Sequence, residues 1–268
     1  YSAPADDPVV IDGGSGSDEI IGGTGDDVLD GGQGNDSIFG GAGDDQIQGG
    51  KGSDSVSGGE GDDTLKGGDD NDIIEGGDGK DTIYGDAGDD SIKGDSGEDY
   101  IRASSGADTV DGGTDDGEGD RVSYWNTAGA VQIDLSAATA AGGFAEGDLL
   151  TGFEDLSGST HDDSLTTDDN DNRIAGHDGD DTIHAGGGDD FIRGGAGADD
   201  IDGGEGDGDI ISYFRSNAAV NVELETDGSG DGGDEDDGPA TTSNVSGGHA
   251  EGDTLTGIEH LWGSSIGD

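Results

Sequence analysis

An aliphatic residue returns at every ninth position through the first part of the chain: Ile20, Leu29, Ile38, Ile47, Val56, Leu65, Ile74, Ile83, Ile92, Ile101 and Val110. An aspartate precedes each by two places, giving Asp18, Asp27, Asp36, Asp45, Asp54, Asp63, Asp72, Asp81, Asp90, Asp99 and Asp108. With glycines ahead of the aspartate, the unit reads Gly-Gly-x-Gly-x-Asp-x-aliphatic-x. It runs without a gap from Gly13 to Asp111, eleven nonapeptides in 99 residues. Repetition at a fixed period overrides local propensity, because each unit must bury its apolar residue against its neighbours. The period predicts a stack of like elements with one apolar rung per repeat.

A second block begins at Gly158. Its sixth positions are Asp163, Asn172, Asp181, Asp190 and Asp199, and its eighth are Leu165, Ile174, Ile183, Ile192 and Ile201. Asn172 departs from the pattern, and Thr167-Asp168-Asp169-Asn170 before it lacks the glycines, so no ligand is assigned to that repeat. Each block runs into the same kind of segment. Gly119-Asp120-Arg121-Val122-Ser123-Tyr124-Trp125 matches Gly208-Asp209-Ile210-Ile211-Ser212-Tyr213-Phe214. The alternation Val131, Ile133, Leu135 matches Val220, Val222, Leu224 and predicts a strand in each. Ala145-Glu146-Gly147-Asp148 through Glu154 matches Ala250-Glu251-Gly252-Asp253 through Glu259. The expected division is a linker or leading strand at 1–12, repeats at 13–111, a cap at 112–157, repeats at 158–209 and a second cap at 210–262. The second cap contains a Gly/Asp-rich stretch from about Thr226 to Gly248, read as a mobile, solvated loop. Residues 263–268 read as the start of a third block, which predicts that the array continues.

Composition sharpens the problem. The chain holds 61 Gly and 66 acidic residues against nine Lys and Arg, a net charge of −57, with 27% hydrophobic residues. So acidic and glycine-rich a chain belongs by composition with disordered sequences. Something must neutralise the acid and order the glycine if it is to fold. The acidic excess predicts cationic partners, a halophilic surface being the plain alternative. No basic patch is present to hold nucleic acid, and no stretch has the length and apolarity of a membrane helix. Zero Cys excludes disulfides, thiolate metal sites and cysteine nucleophiles. Tyr1 to Pro8 has no charged or apolar segment of a signal peptide.

The nonapeptide resembles the RTX, or haemolysin-type, calcium-binding repeat family. The resemblance implies an all-β fold, a right-handed parallel β-roll or β-solenoid, in which six residues make a turn, three make a short strand and two nonapeptides complete a coil. Calcium would lie between turns stacked on one side. Its ligands would be the sixth-position carboxylates (those of the first block, with Asp163, Asp181, Asp190 and Asp199) and turn carbonyls. Odd-numbered repeats would stack on one face and even-numbered repeats on the other. The chemistry agrees: Ca²⁺ takes six to eight oxygens, and the motif offers no nitrogen or sulfur to favour zinc or copper. Glycines free the turn backbone to aim carbonyls at one point, and the eighth residue should face inward. Fifth-position Asp26, Asp44, Asp62, Asp89, Asp180 and Asp189 are read as carbonyl donors with solvated side chains.

Other chemistry is sparse. There is no His-Glu-x-x-His, and His161, His177, His184, His249 and His260 are scattered and read as exposed turn or strand residues. Aspartate and serine are too frequent for any triad to carry meaning. No Walker Lys-Ser/Thr follows the glycines. Asp120, Asp148, Asp209 and Asp253 recur in both caps and read as turn residues, with calcium ligation the alternative. Tyr124-Trp125 and Tyr213-Phe214 read as seals at the end of a solenoid, with sugar stacking the alternative. The resemblance implies a non-enzymatic, monomeric calcium-binding module of a secreted bacterial protein, exported by a type I system and folding in extracellular calcium. Rival readings are an adhesin or surface-layer spacer, with an extracellular glycan or cell-surface partner, and an accessory module of a secreted enzyme whose catalytic domain lies elsewhere.

Overall fold

Each nonapeptide of the first block points its eighth residue and the small residue two places on, glycine or Ala103, inward and its seventh and ninth residues toward the surface, so one extended segment serves both the core and the surface. The computed structural model, which describes residues 8–114, 119–206, 208–214, 221–225, 241–246 and 248–263, divides the chain into two compact units. The first comprises residues 1–124 and 138–153, the second 125–137 and 154–268.

In the first unit, eleven six-residue strands follow one another from Glu19–Thr24 to Thr109–Thr114. The expectation was three residues per strand. The strands are longer because they continue through both glycines: Glu19–Thr24 spans the seventh to ninth positions of one repeat and the first to third of the next. A positive φ at the second glycine, +124° at Gly59 for example, bends the strand while its ladder continues. The eighth-position aliphatics are no more than 3% exposed, forming the expected single inward rung per repeat.

Pairing occurs at a separation of 18 residues, so alternate repeats are neighbours. Ile20 pairs with Ile38 and Ile38 with Val56; Leu29 pairs with Ile47 and Ile47 with Leu65. All strands of this unit's two sheets are parallel. One sheet runs Val10–Asp12, Val28–Gln33, Gln46–Lys51, Thr64–Asp69, Thr82–Ala87, Tyr100–Ser105 and Arg121–Ser123. The other runs Glu19–Thr24, Ser37–Ala42, Ser55–Glu60, Ile73–Asp78, Ser91–Ser96, Thr109–Thr114 and Leu149–Thr151. The fold is an all-β parallel β-roll, and the described residues contain no α-helix.

The second unit repeats the plan with less regularity. Asp155–Ser157, Arg173–Asp178, Phe191–Ala196, Ile210–Ser212 and His260–Trp262 form one parallel row. Gln132–Asp134, Ser164–Thr166, Thr182–His184, Asp200–Asp202 and Thr254–Thr256 form the other. The stretch read as a loop between Thr226 and Gly248 is in part a strand: Thr241–Ser246 lies antiparallel to Asn221–Glu225. Its two threonines and Val245 are β-branched, which favours extended backbone. Gly248–Ala250 then forms a single 3-10 turn, while residues 226–240, Val220 and residues 264–268 of the expected third block lie outside the described residues.

Candidate metal centres

The sixth-position aspartates hold the coils together. The odd repeats form one row, in which the backbone N–H of Asp18, Asp36, Asp54, Asp72 and Asp90 donates to Oδ1 of the aspartate one coil on, each at 2.8 Å. The even repeats form the second, with Asp27, Asp45, Asp63 and Asp81 donating to Asp45, Asp63, Asp81 and Asp99 at 2.7–2.8 Å. Every sixth-position aspartate from Asp27 to Asp108 is at most 3% exposed. The separation into two rows is as expected.

Each carboxylate has a second oxygen with a different environment. Oδ2 of all eleven first-block aspartates, and of Asp181, Asp190, Asp199 and Asp209, is buried and meets no hydrogen-bond donor. The cause lies at the first glycine. A Cβ on Gly58 would overlap Asp63 Oδ2 and the carbonyl oxygen of Gly76, and a Cβ on Gly67 would overlap Asp72 Oδ2. The first glycine thus leaves room for the carboxylate, where the second and fourth positions take positive φ, at Gly59 and Gly61 for example and at Asp86 and Asp70 where the glycine is absent. Two oxygen acceptors, one charged, converge on the same small space in coil after coil. An ionised oxygen so placed is costly unless a cation meets it.

Burial pushes these carboxyls up. Desolvation is the largest cause, opposed by the backbone N–H each one accepts, and it carries Asp63, Asp72, Asp81, Asp90 and Asp108 from 3.8 to about 7. Neighbouring aspartates in the same row add to the rise. In the second block Asp181 and Asp190 reach about 7 and Asp199 about 8.

The RTX calcium-binding nonapeptide repeat (4 copies) matches seven times, at residues 12–47, 48–83, 57–92, 84–117, 150–183, 157–192 and 176–210. The matches together cover more than half of the chain. The chain belongs to the RTX calcium-binding repeat family. No curated protein sequence matches it. RTX repeats bind several Ca²⁺ ions, and the donors here suit that ion: carboxylate and carbonyl oxygen, one carboxylate per turn. Among the described residues, no three His, Asp or Glu side chains gather into a compact cluster. In this RTX array the acid is distributed along rows, and backbone oxygen must supply the balance of any coordination shell.

Not every predicted ligand is placed alike. Asp163 has both oxygens engaged, Oδ1 by Val131 N–H and the Ser159 hydroxyl, and Oδ2 by Ser159 N–H. Asn172 stands in its row, donating its N–H to Asp190 Oδ1 at 2.8 Å, and is buried without a charge. The fifth-position aspartates are exposed, as expected, but their side chains are not idle. Asp26, Asp44, Asp62, Asp89 and Asp180 each accept a backbone N–H from one coil on, at 2.8–3.1 Å. They stitch coils in the sense opposite to the sixth-position residues, whose acceptors lie on the later coil. An Asx side chain reaching local backbone is the general signal that foretells this.

The recurrent cap residues extend the rows. Asp120 accepts Asp99 N–H and Asp209 accepts Asp190 N–H, each at 2.8 Å, while Asp209 donates its own N–H to Glu259. Asp148 and Asp253 accept from Asp108 and Asp199. Tyr124 and Tyr213 are buried, and Trp125 and Phe214 beside them are half exposed. The five histidines do not converge. His177 is half-buried with Nε2 2.7 Å from the Ser157 hydroxyl, its ring near Trp125, a pairing with no sequence motif to announce it.

Proposed function

We propose that this chain is a calcium-dependent folding module of a secreted bacterial protein, exported by a type I system and ordered by extracellular calcium. Its ligands are the sixth-position carboxylates of the first block with Asp163, Asp181, Asp190 and Asp199, completed by turn carbonyls. One observation carries the reading: a buried, ionisable Oδ2 without a donor recurs once per turn along each row of the first block. Metal bound only by the folded state contributes its binding free energy to folding. With so few apolar residues, this chain depends on that contribution. The domain division at 13–111, 112–157, 158–209 and 210–262 belongs to the same reading. Circular dichroism tests it: the chain should be largely disordered in chelator and gain strand cooperatively with Ca²⁺. Magnesium should substitute poorly, because it prefers a tight octahedral shell and retains water. A strand-rich spectrum untouched by chelation rejects the reading.

A second role, recognition of an extracellular glycan or cell-surface partner, draws support from one outward face. Lys66, Tyr84 and Arg102 lie in register on adjacent strands, with the two cations 5.6 and 5.4 Å from the tyrosine ring centre. In a chain so acidic, cations held against a half-buried aromatic form a distinct surface. A glycan array in saturating calcium tests it, and absence of binding to any sugar removes it.

A further inference from the structure

Both caps place an aspartate at the end of a carboxylate row, and both treat it differently from the repeats. Asp148 Oδ1 accepts Asp108 N–H at 2.8 Å, although 40 residues separate them. Asp253 Oδ1 accepts Asp199 N–H at 3.0 Å across 54 residues. Each occupies the place that the next sixth-position aspartate would take. In the repeats Oδ2 meets no donor except at Asp163, where a backbone N–H reaches it, but here it meets a phenol. Tyr124 OH donates to Asp148 Oδ2 and Tyr213 OH donates to Asp253 Oδ2, both at 2.7 Å. The two tyrosines are 2% and 3% exposed, so water does not compete for these carboxylates.

The tyrosines come from the opposite sheet. Tyr124 follows the strand Arg121–Ser123, while Asp148 precedes Leu149–Thr151 at the end of the other sheet. Tyr213 likewise follows Ile210–Ser212, and Asp253 precedes Thr254–Thr256. The device has therefore been built twice, from sequence-matched segments. A cation between turns draws oxygens from two coils, and the last aspartate of a row has a coil on one side only. A buried carboxylate in that position needs another positive partner, and a hydroxyl hydrogen aimed at its outer oxygen provides one.

We propose that Tyr124 and Tyr213 terminate the calcium rows: their hydroxyls take the place of the metal at Asp148 and Asp253, so those carboxylates complete the row without binding an ion. The tyrosines are positioning residues that set where the calcium array stops. This rests on the reading of the sixth-position carboxylates as ligands.

The test uses the full chain, with bound Ca²⁺ counted by native mass spectrometry and the calcium midpoint of folding followed by circular dichroism. Asp148→Asn should keep the parent's ion count, whereas Asp90→Asn, two row positions inside the array, should lose at least one ion. Tyr124→Phe keeps the ring but removes the donor, and should raise the midpoint about tenfold. Adding Asp148→Asn to Tyr124→Phe should restore it, because no charge then needs a partner. Tyr213→Phe with Asp253→Asn repeats the experiment in the second unit if the first variant fails to fold. Loss of an ion from Asp148→Asn equal to that from Asp90→Asn overturns the proposal. An unchanged midpoint in Tyr124→Phe, or a raised midpoint that Asp148→Asn does not relieve, also overturns it. If Asp90→Asn keeps every ion, the ligand reading beneath the proposal fails instead.

Discussion

The two repeat blocks share one motif but differ at its first position. In the first block that position is glycine in ten repeats and Ala103 in the last; in the second it is Gly158, Thr167, Gly176, Ala185 and Gly194. Ala103 and Ala185 coexist with buried Asp108 and Asp190, whose Oδ2 atoms still meet no donor. Thr167 does not coexist with an aspartate. It is buried, its hydroxyl donates to the Ala185 carbonyl at 2.5 Å, and the sixth position of its repeat is Asn172. A larger, hydrogen-bonding side chain has entered the space next to the carboxylate, and the charge is gone from the same repeat. The comparison teaches that a small first residue, glycine or alanine, and aspartate six are a single device.

The largest effect should come from removing a carboxylate where the device is intact. The Asp63 side chain accepts Asp45 N–H, so Asp63→Ala opens that link and removes a ligand, while its backbone N–H still donates to Asp81. Its calcium midpoint should rise about tenfold or more, as for a buried charged hydrogen-bonding group. Asn172→Ala, in the broken repeat, should move far less; equal shifts would break the comparison.

Acid should act next, and in a defined direction. Carboxyls raised from 3.8 to about 7 in the fold, such as Asp72, Asp81 and Asp90, bind protons more tightly folded than unfolded. Their penalty on the compact state is absent below about pH 4 and full above about pH 7, so stability of the metal-free chain rises as pH falls through that window. Circular dichroism in chelator should therefore show strand appearing on acidification. A spectrum flat from pH 8 to 4 would contradict the burial argument.

Repairing the second block should have a middling effect. Thr167→Gly together with Asn172→Asp restores both halves of the device and should add one bound calcium by native mass spectrometry. Asn172→Asp alone should not, because the threonine still fills the space. If the single change gains the ion, the two positions are independent.

The smallest effect sharpens the contrast between neighbouring carboxylates. Asp62 is exposed and accepts Lys80 N–H at 2.9 Å, so Asp62→Ala loses one solvent-accessible bond while relieving repulsion. These oppose, and the calcium midpoint should stay within about a factor of three of the parent. A shift matching Asp63→Ala would erase the distinction between ligand and stitching residues.

Much of this was legible in the sequence. The nine-residue recurrence of Ile20, Leu29, Ile38 and their successors determined the rung of the core, and its parity over a two-repeat coil determined which aspartates share a row. Those are local, periodic properties, and a stack of identical units turns local order directly into global order. The recurrence of Tyr124 with Tyr213 and of Asp148 with Asp253 marked the caps as important without saying that these residues meet.

What only the tertiary structure decided are the contacts made between coils and between sheets. The sequence places glycine at the first position but not the carboxylate that overlaps its missing Cβ, since that depends on how an aspartate five residues later folds inward. It places Asp62 beside Asp63 but not their opposite bonding directions, which follow from which coil each side chain reaches. Nor does it join Tyr124 to Asp148, 24 residues apart, because that bond is set by two sheets closing around one interior. Periodicity fixes what repeats along the chain; the oxygen that lacks a donor, and the phenol that supplies one, exist only once the coils are stacked.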